Sequence, residues 1–156
     1  MDLTRLRLGE LLSGAAALAL LATLFFDWNR DLGSAAMDAS VTTESGWSGL
    51  GVVILLLVLI AIGLALALVF TTAGKRPAAI PIGAAVLTTG AGIVVTIVLA
   101  IRVLFLDDSL SAAYLGLLFM FLIPVGSWIA MADERTDAPY SAAPDLPRRP
   151  APPAEA

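Results

Sequence analysis

Two sets of side chains in this sequence have types and spacings that could do chemistry, and the first offers oxygen ligands to a metal. It lies in the segment Asp27-Trp28-Asn29-Arg30-Asp31-Leu32-Gly33, with Asp38 eleven residues after Asp27. Oxygen-bearing side chains at alternate positions resemble the start of a calcium loop. However, the glycine comes one place late, Asp38 stands where the loop needs a Glu, and no helix obviously follows. We therefore expect an ordinary polar loop here and no metal site.

The second set is a stripe of small and hydroxyl-bearing residues that recurs every four positions: Ala84, Thr88, Gly92, Thr96 and Ala100. In a membrane helix, small side chains let two backbones approach closely, and threonine hydroxyls can bond to a neighbouring helix. The stripe predicts packing inside one bundle, contact with a second copy or another membrane protein, or a polar pathway that also includes Thr89. Within the bundle, small residues elsewhere offer partners to it: Gly9, Ser13 and Ala17, and also Ala61 and Ala65.

The residues that most enzymes use are missing. The sequence has neither histidine nor cysteine, which excludes haem ligation by His, His or Cys zinc sites, thiol nucleophiles and disulfides. Its serines and threonines have no histidine to activate them, and its single lysine is Lys75. We predict that the protein is not an enzyme and holds no cofactor.

Four long stretches of the sequence contain no charged residue, and we expect them to form the helices that position the small and hydroxyl-bearing residues. They contain 16, 30, 25 and 24 residues, and hydrophobic residues make up 59% of the chain. Helices of about 20 apolar residues cross a hydrocarbon layer of about 30 Å. The fold class we predict is an all-α integral membrane four-helix bundle over residues 1–132, with spans at about 6–26, 50–70, 78–103 and 112–132. Pro124 should kink the fourth span.

The composition changes after the fourth span. Residues 133–156 hold six of the nine prolines and show no apolar periodicity. This Pro/Ala-rich segment predicts a disordered C-terminal tail on the cytoplasmic side.

The first span has a competing interpretation. Arg5 and Arg7 precede it, as basic residues precede the apolar part of a secretory signal peptide. No small-residue cleavage site lies near its apolar end. We expect the span to be retained, although the sequence leaves cleavage open.

The distribution of charge predicts an orientation. With four spans both termini share a side, and that side holds seven basic residues against two on the other, Arg30 and Arg102. The positive-inside rule then places both termini in the cytoplasm. The net charge of −4 falls on the outer side. Aromatic residues at the predicted span ends, Trp28 among them, should anchor at the membrane boundary. No ionisable residue lies near the midplane, which argues against pumps and ion-coupled transporters.

Short motifs at the span ends resemble a known group of proteins. These are Phe25-Phe26-Asp27-Trp28, Ser45-Gly46-Trp47 and the stretch Gly126-Ser127-Trp128-Ile129-Ala130-Met131-Ala132-Asp133-Glu134-Arg135. Together they resemble uncharacterised small four-span membrane proteins of actinobacteria and related high-GC bacteria. The resemblance implies a fold and a location and brings no activity or site residues.

The function predicted from these observations is an interaction or assembly partner, or the subunit of a membrane complex, in the bacterial cytoplasmic membrane. Its partners are the lipid bilayer and either a second copy or another membrane protein, with no nucleic acid. The alternative is a small transport or channel component that uses the threonine-rich third span.

Overall fold

The computed structural model describes residues 6–31, 42–73, 79–105 and 109–137. Its elements, in chain order, are α1 Leu8–Thr23, β1 Asp27–Asp31, β2 Thr42–Ser45, α2 Gly46–Gly49, α3 Val52–Ala73, α4 Ala79–Phe105 and α5 Ser111–Asp137. Three of the helices, α3, α4 and α5, are long and apolar enough to cross a membrane, and α1 is a shorter apolar helix of 16 residues. The prediction of a mainly helical membrane protein is confirmed at this level.

The chain forms helices because hydrocarbon offers no hydrogen-bond partners to the backbone N–H and C=O groups. α3 is rich in Val and Ile, which favour strands in water, yet it runs for 22 residues without a break. A helix satisfies all its interior backbone groups within one segment, as a membrane requires. Gly51, with φ +72°, separates α2 from α3 by a left-handed turn that favours glycine.

The four longer helices pack in a ring. α5 lies between α1 and α4, and α3 contacts both α4 and α1 on the other side. The tightest contact joins α1 to α5, where a Cβ at Gly126 would lie only 2.6 Å from the Ser13 nitrogen, and one at Gly9 would collide with Ala130. Gly9 and Ser13 of α1 therefore contact α5 and not the stripe on α4, and Gly14 faces Val69 of α3.

The other ends of α1 and α5 meet a small sheet, which corrects the prediction of an ordinary loop. β1 and β2 pair antiparallel, and Asn29 also bridges to Ser109 just before α5. The Leu110 N–H donates to the Trp28 carbonyl at 2.7 Å. We call this part of the molecule, where β1 and β2 lie, the hairpin end. The hairpin links the segment after α1 to the segment before α5.

Trp28 occupies the centre of the hairpin end. Its side chain is 0% exposed, and its indole N–H donates to the Thr23 carbonyl at 2.7 Å. A Cβ at Gly116 would collide with the indole ring. The prediction that Trp28 anchors at the membrane boundary was wrong, because the ring lies inside the protein. Phe25 and Phe26 beside it are exposed, as an anchoring role requires.

Two helices, α5 and α1, differ most in length from the predicted spans. α5 continues to Asp137, so residues 133–137, expected to begin the tail, belong to a helix. The rest of the predicted tail, residues 138–156, lies outside the described residues. α1 is shorter than the predicted first span, because the chain turns after Thr23, where the Phe26 N–H donates to the Thr23 carbonyl.

The α1–α5 contact gives a first prediction. Gly126→Ala should lower the free energy of unfolding by about 1–3 kcal/mol, because its Cβ meets backbone atoms that cannot move aside. Gly63→Ala is the matched control, since no atom lies within 4 Å of its added Cβ. Unfolding by SDS titration in mixed micelles measures both. Equal stability of the two variants would contradict the close approach.

Trp28 gives a second prediction. Trp28→Ala should cost about 3–5 kcal/mol of unfolding free energy, because it empties a fully buried site. Trp128→Ala removes the same side chain from a position that is 60% exposed, and we expect a change within about 0.5 kcal/mol. The same titration compares them, and a small loss for Trp28→Ala would show that the hairpin end packs otherwise.

Candidate functional site

The stripe predicted from the sequence lies inside the bundle and faces two neighbours in turn. The Thr88 hydroxyl is 2.8 Å from the Ala84 carbonyl in its own helix and 3.2 Å from the Leu64 carbonyl of α3. Gly92 contacts α5, where an added Cβ would lie 3.0 Å from Cδ of Pro124. Ala100 lines a shallow groove on the same side together with residues of α5. Thr88 thus contacts α3, Gly92 contacts α5 and Ala100 borders α5, whereas Ala84 is half-buried and accepts the Thr88 hydroxyl within its own helix.

Pro124 is the feature of α5 around which the site is built. Proline has no N–H, so the carbonyl four residues earlier, that of Met120, loses its helical partner. The Thr96 hydroxyl of α4 lies 3.4 Å from the Met120 oxygen and 2.7 Å from the Gly92 carbonyl. The single proton of this hydroxyl is shared between the two carbonyl oxygens. α4 therefore leaves room for the Pro124 ring beside Gly92, and its Thr96 hydroxyl is a hydrogen-bond donor for the Met120 carbonyl.

A second polar link joins the two helices about two turns away. The Thr89 and Ser127 hydroxyl oxygens are 2.8 Å apart, and both residues are buried. Thr89 also reaches the Ala85 carbonyl at 2.8 Å, and Ser127 reaches the Pro124 carbonyl at 3.1 Å. Each hydroxyl has one proton, so the pair can run either from Ser127 to Thr89 to Ala85, or from Thr89 to Ser127 to Pro124. In either direction, the protons of both hydroxyls are donated to an oxygen atom.

A lateral groove opens beside these links, between α4 and α5. Its volume is about 390 Å³, and its lining residues are Thr89, Ile93, Thr96, Ile97, Phe121, Pro124, Val125, Trp128 and Ile129. On α4 it extends from Thr89 to Ile97, about 12 Å at 1.5 Å per residue, across the middle of the helix. The lining surface is apolar, because the two threonine hydroxyls already donate within the chain. We call this the α4–α5 groove.

The groove suits packing better than catalysis or metal binding. Within the described part of the chain, no group of three or more Asp, Glu, His or Cys residues lies where it could hold a metal ion. The oxygen string of the first loop is used structurally: the Asp27 carboxylate accepts the Thr43 hydroxyl at 2.8 Å, and the Asn29 amide donates to the Gly49 carbonyl at 2.8 Å. The Asp31 side chain and Asp38 lie outside the described residues.

Among the side chains that the structure describes, Glu10 is a buried acidic residue of the helical bundle, with 1% of its surface exposed. Its carboxylate accepts the backbone N–H of Arg7 at 2.7 Å, which satisfies a free donor at the start of α1. A negative charge in the first turn also complements the helix dipole. This geometry explains Glu10 as a helix cap.

Comparisons with family models, curated proteins and solved structures find no match to this chain. The resemblance to small four-span proteins stays a prediction. Functional inference therefore depends on the geometry of the site.

The contact of Pro124 with α4 gives a third prediction. Gly92→Val should lower the free energy of unfolding by about 1–3 kcal/mol, because the valine must displace the Pro124 ring. Gly90→Val on the same helix has the same cost in helix propensity, but nothing lies within 4 Å of its Cβ. The difference between the two variants, measured by SDS titration, isolates the contact. A difference near zero would mean that α4 and α5 separate freely at this depth.

Proposed function

We propose that this chain is an integral protein of the bacterial cytoplasmic membrane that binds another membrane protein through the α4–α5 groove and has no enzymatic activity. The observation that supports the proposal most is the open apolar groove beside a stripe that is already used within the bundle. Because the threonine hydroxyls of the stripe are used within the bundle, what this site offers a partner is the apolar lining of the groove.

We also propose that α1 crosses the membrane as a fourth span. Its 16 residues extend about 24 Å, and Leu24, Phe25 and Phe26 add apolar length after it. It contacts both α3 and α5. An even number of spans puts both termini on one side, and the seven basic residues that the sequence then assigns to that side, against two on the other, support cytoplasmic termini.

The partner that fits the groove is an apolar transmembrane helix of another protein. The groove volume of about 390 Å³ is far smaller than that of a helix about 10–12 Å in diameter over the same length, so the groove would receive a ridge of side chains. The hydroxyls of Thr89 and Thr96 already donate to groups of this chain, so neither is available to donate to a polar ridge. Bulky aliphatic side chains match this wall by van der Waals contact.

The geometry gives less support to the transport alternative. The hydroxyls of Thr88, Thr89 and Thr96 each lie 2.7–2.8 Å from a carbonyl in their own helix. A row of hydroxyls could guide ions or polar solutes only if it faced water. These hydroxyls instead satisfy backbone groups between packed helices.

Crosslinking in native membranes tests the proposal and is our fourth prediction. A photo-crosslinking residue at Ile97 or Phe121, both exposed in the groove, should link to another polypeptide, and sequencing should place the linked peptide in an apolar transmembrane helix. Leu18 and Ile60 are matched controls, because they are similarly exposed on α1 and α3.

Two outcomes would contradict the proposed partner. Links formed equally from groove and control positions would show chance encounters in the membrane. Links only between two copies of this chain would identify the groove as a homodimer surface and exclude a different protein as its occupant.

A further inference from the structure

The small sheet at the hairpin end has one edge that no other strand covers. β1 is paired on both sides, with β2 on one and through the Asn29–Ser109 bridge on the other. β2 has β1 on one side, and among the residues that the structure describes no strand pairs with its other side. We propose that this second side, which we call the β2 edge, binds an extended peptide segment of another protein that carries basic residues, by β-strand addition.

The hydrogen bonds of the sheet determine which backbone groups point to the β2 edge. The Gly46 N–H donates to the Phe26 carbonyl at 3.3 Å, and these two residues flank the Asp27–Ser45 pair. In an antiparallel sheet, a bond between the flanking residues marks a pair whose own N–H and C=O groups point away from the partner strand. The backbone groups of Ser45 therefore point to the β2 edge. Since alternate residues of a strand point to the same side, those of Thr43 do so as well.

The other side of β1 leads to the same assignment for Thr43. The Asn29–Ser109 bridge and the bond from the Leu110 N–H to the Trp28 carbonyl, at 2.7 Å, turn the backbone groups of Arg30 away from β2. Arg30 lies opposite Thr43 in the register of the two strands. In such a pair both residues point their N–H and C=O groups away from each other, so those of Thr43 point to the β2 edge.

The spacing of these groups matches an extended strand. The β2 edge presents the N–H and C=O of Thr43 and the N–H of Ser45, while the Ser45 carbonyl accepts the Ser48 hydroxyl at 3.3 Å. Two residues of a strand are about 7 Å apart, which is the repeat at which a neighbouring strand presents its own backbone groups. A helix uses its interior backbone groups within itself and offers none at this spacing. Thr43 is exposed and Ser45 is half-buried, so a strand can approach this edge.

Two carboxylates beside the β2 edge favour basic side chains in the added strand. Glu44 lies between Thr43 and Ser45 in β2, and the Asp27 carboxylate accepts the Thr43 hydroxyl at 2.8 Å. Because successive side chains alternate, Thr43 and Glu44 belong to opposite faces of the sheet. A Lys or Arg of the added strand therefore meets a carboxylate on either face. Arg30 belongs to β1, one strand further from the added peptide, whereas Asp27 reaches across to Thr43.

The same charge disfavours a second copy of this chain as the occupant. If two β2 strands paired antiparallel so that Thr43 of each bonded to Ser45 of the other, the two Glu44 side chains would lie directly opposite each other. Like charges in that position are destabilising, and a basic residue there avoids the repulsion. This binding needs only the hairpin and is independent of the partner proposed for the α4–α5 groove.

Peptide binding to the full chain in a non-ionic detergent tests this proposal and is our fifth prediction. The probe is a fluorescent hexapeptide that alternates Lys and Thr, and its anisotropy should show saturable binding of one peptide per chain. The same peptide with Glu in place of each Lys should not bind. Ser45→Pro should weaken binding about five- to tenfold, because it removes an N–H from the β2 edge. The φ of Ser45 is −67°, an angle that proline also adopts, so the hairpin should keep its shape. Ser45→Ala is the matched control, since it keeps the N–H and the serine side chain makes no cap hydrogen bond to α2.

A second variant tests the charge without touching the backbone. Glu44→Gln should weaken binding of the Lys peptide about two- to fivefold, and added salt should weaken it in the unchanged protein as well. Each variant is first checked for an unchanged thermal unfolding midpoint, and Glu44→Gln decides if Ser45→Pro is less stable. Equal binding of the Lys and Glu peptides would overturn the proposal. Equal affinities of stable Ser45→Pro and Ser45→Ala variants, or of Glu44→Gln and the unchanged protein, would overturn it as well.

A cysteine variant tests a second copy as the occupant. The chain has no cysteine, so Thr43→Cys introduces a single thiol beside the β2 edge. Phe26→Cys is the control, because Phe26 is exposed at the same end of the molecule. We expect both variants to form disulfide-linked dimers equally slowly. Much faster dimer formation by Thr43→Cys would identify β2 of another copy as the occupant and would overturn the proposal.

Discussion

Every backbone N–H and C=O in the apolar helices must find its partner inside the protein, because hydrocarbon offers none. This constraint explains the helical form of α3 despite its many β-branched residues. It also explains how the structure tolerates Pro124, whose missing N–H frees the Met120 carbonyl inside α5. The Thr96 hydroxyl, from the neighbouring helix, approaches that carbonyl. The polar groups of the site thus complete the backbone hydrogen bonding of the bundle.

Glycine then decides how near the elements can come, because lipid gives helices no hydrophobic reason to associate and contact must come from packing. Gly126 admits the α1 backbone, Gly92 admits the Pro124 ring, and Gly116 admits the indole of Trp28. Such closeness has a cost: the Ser13 hydroxyl oxygen, buried in the α1–α5 contact, has no hydrogen-bond partner within the described residues. Losing the hydrogen bond of one buried hydroxyl costs less free energy than losing the packing of two helices along their length.

The sequence predicts the long helices well, since a run of apolar residues without charge has a single solution in hydrocarbon. It also predicts that the α4 stripe suits close packing, because four-residue spacing places Gly92 and Thr96 on one face. It could not assign partners: any small residue on α1 or α3 would serve, and the pairing of α1 with α5 depends on the arrangement of the whole bundle. Trp28 was misjudged because tryptophan at a span end usually lies at the membrane boundary. The residues that enclose its ring lie far from it in sequence, among them Gly46 after β2 and Gly116 of α5.

Position along α4 explains the different chemistry of its two lateral surfaces. The α4–α5 groove spans Thr89 to Ile97, around the centre of the helix, and no charged residue lines it. In a helix that crosses a bilayer, the centre is where a charge would be most costly. A further groove, between α3 and α4, spans Val98 to Phe105 in the last turns of α4, and Arg102 is one of its lining residues. A long basic side chain this near the end of a span can extend to the headgroup layer while its stem stays among apolar residues. The α4 residues of the two grooves do not overlap, so each groove is a separate part of the helix surface that the bundle itself leaves exposed.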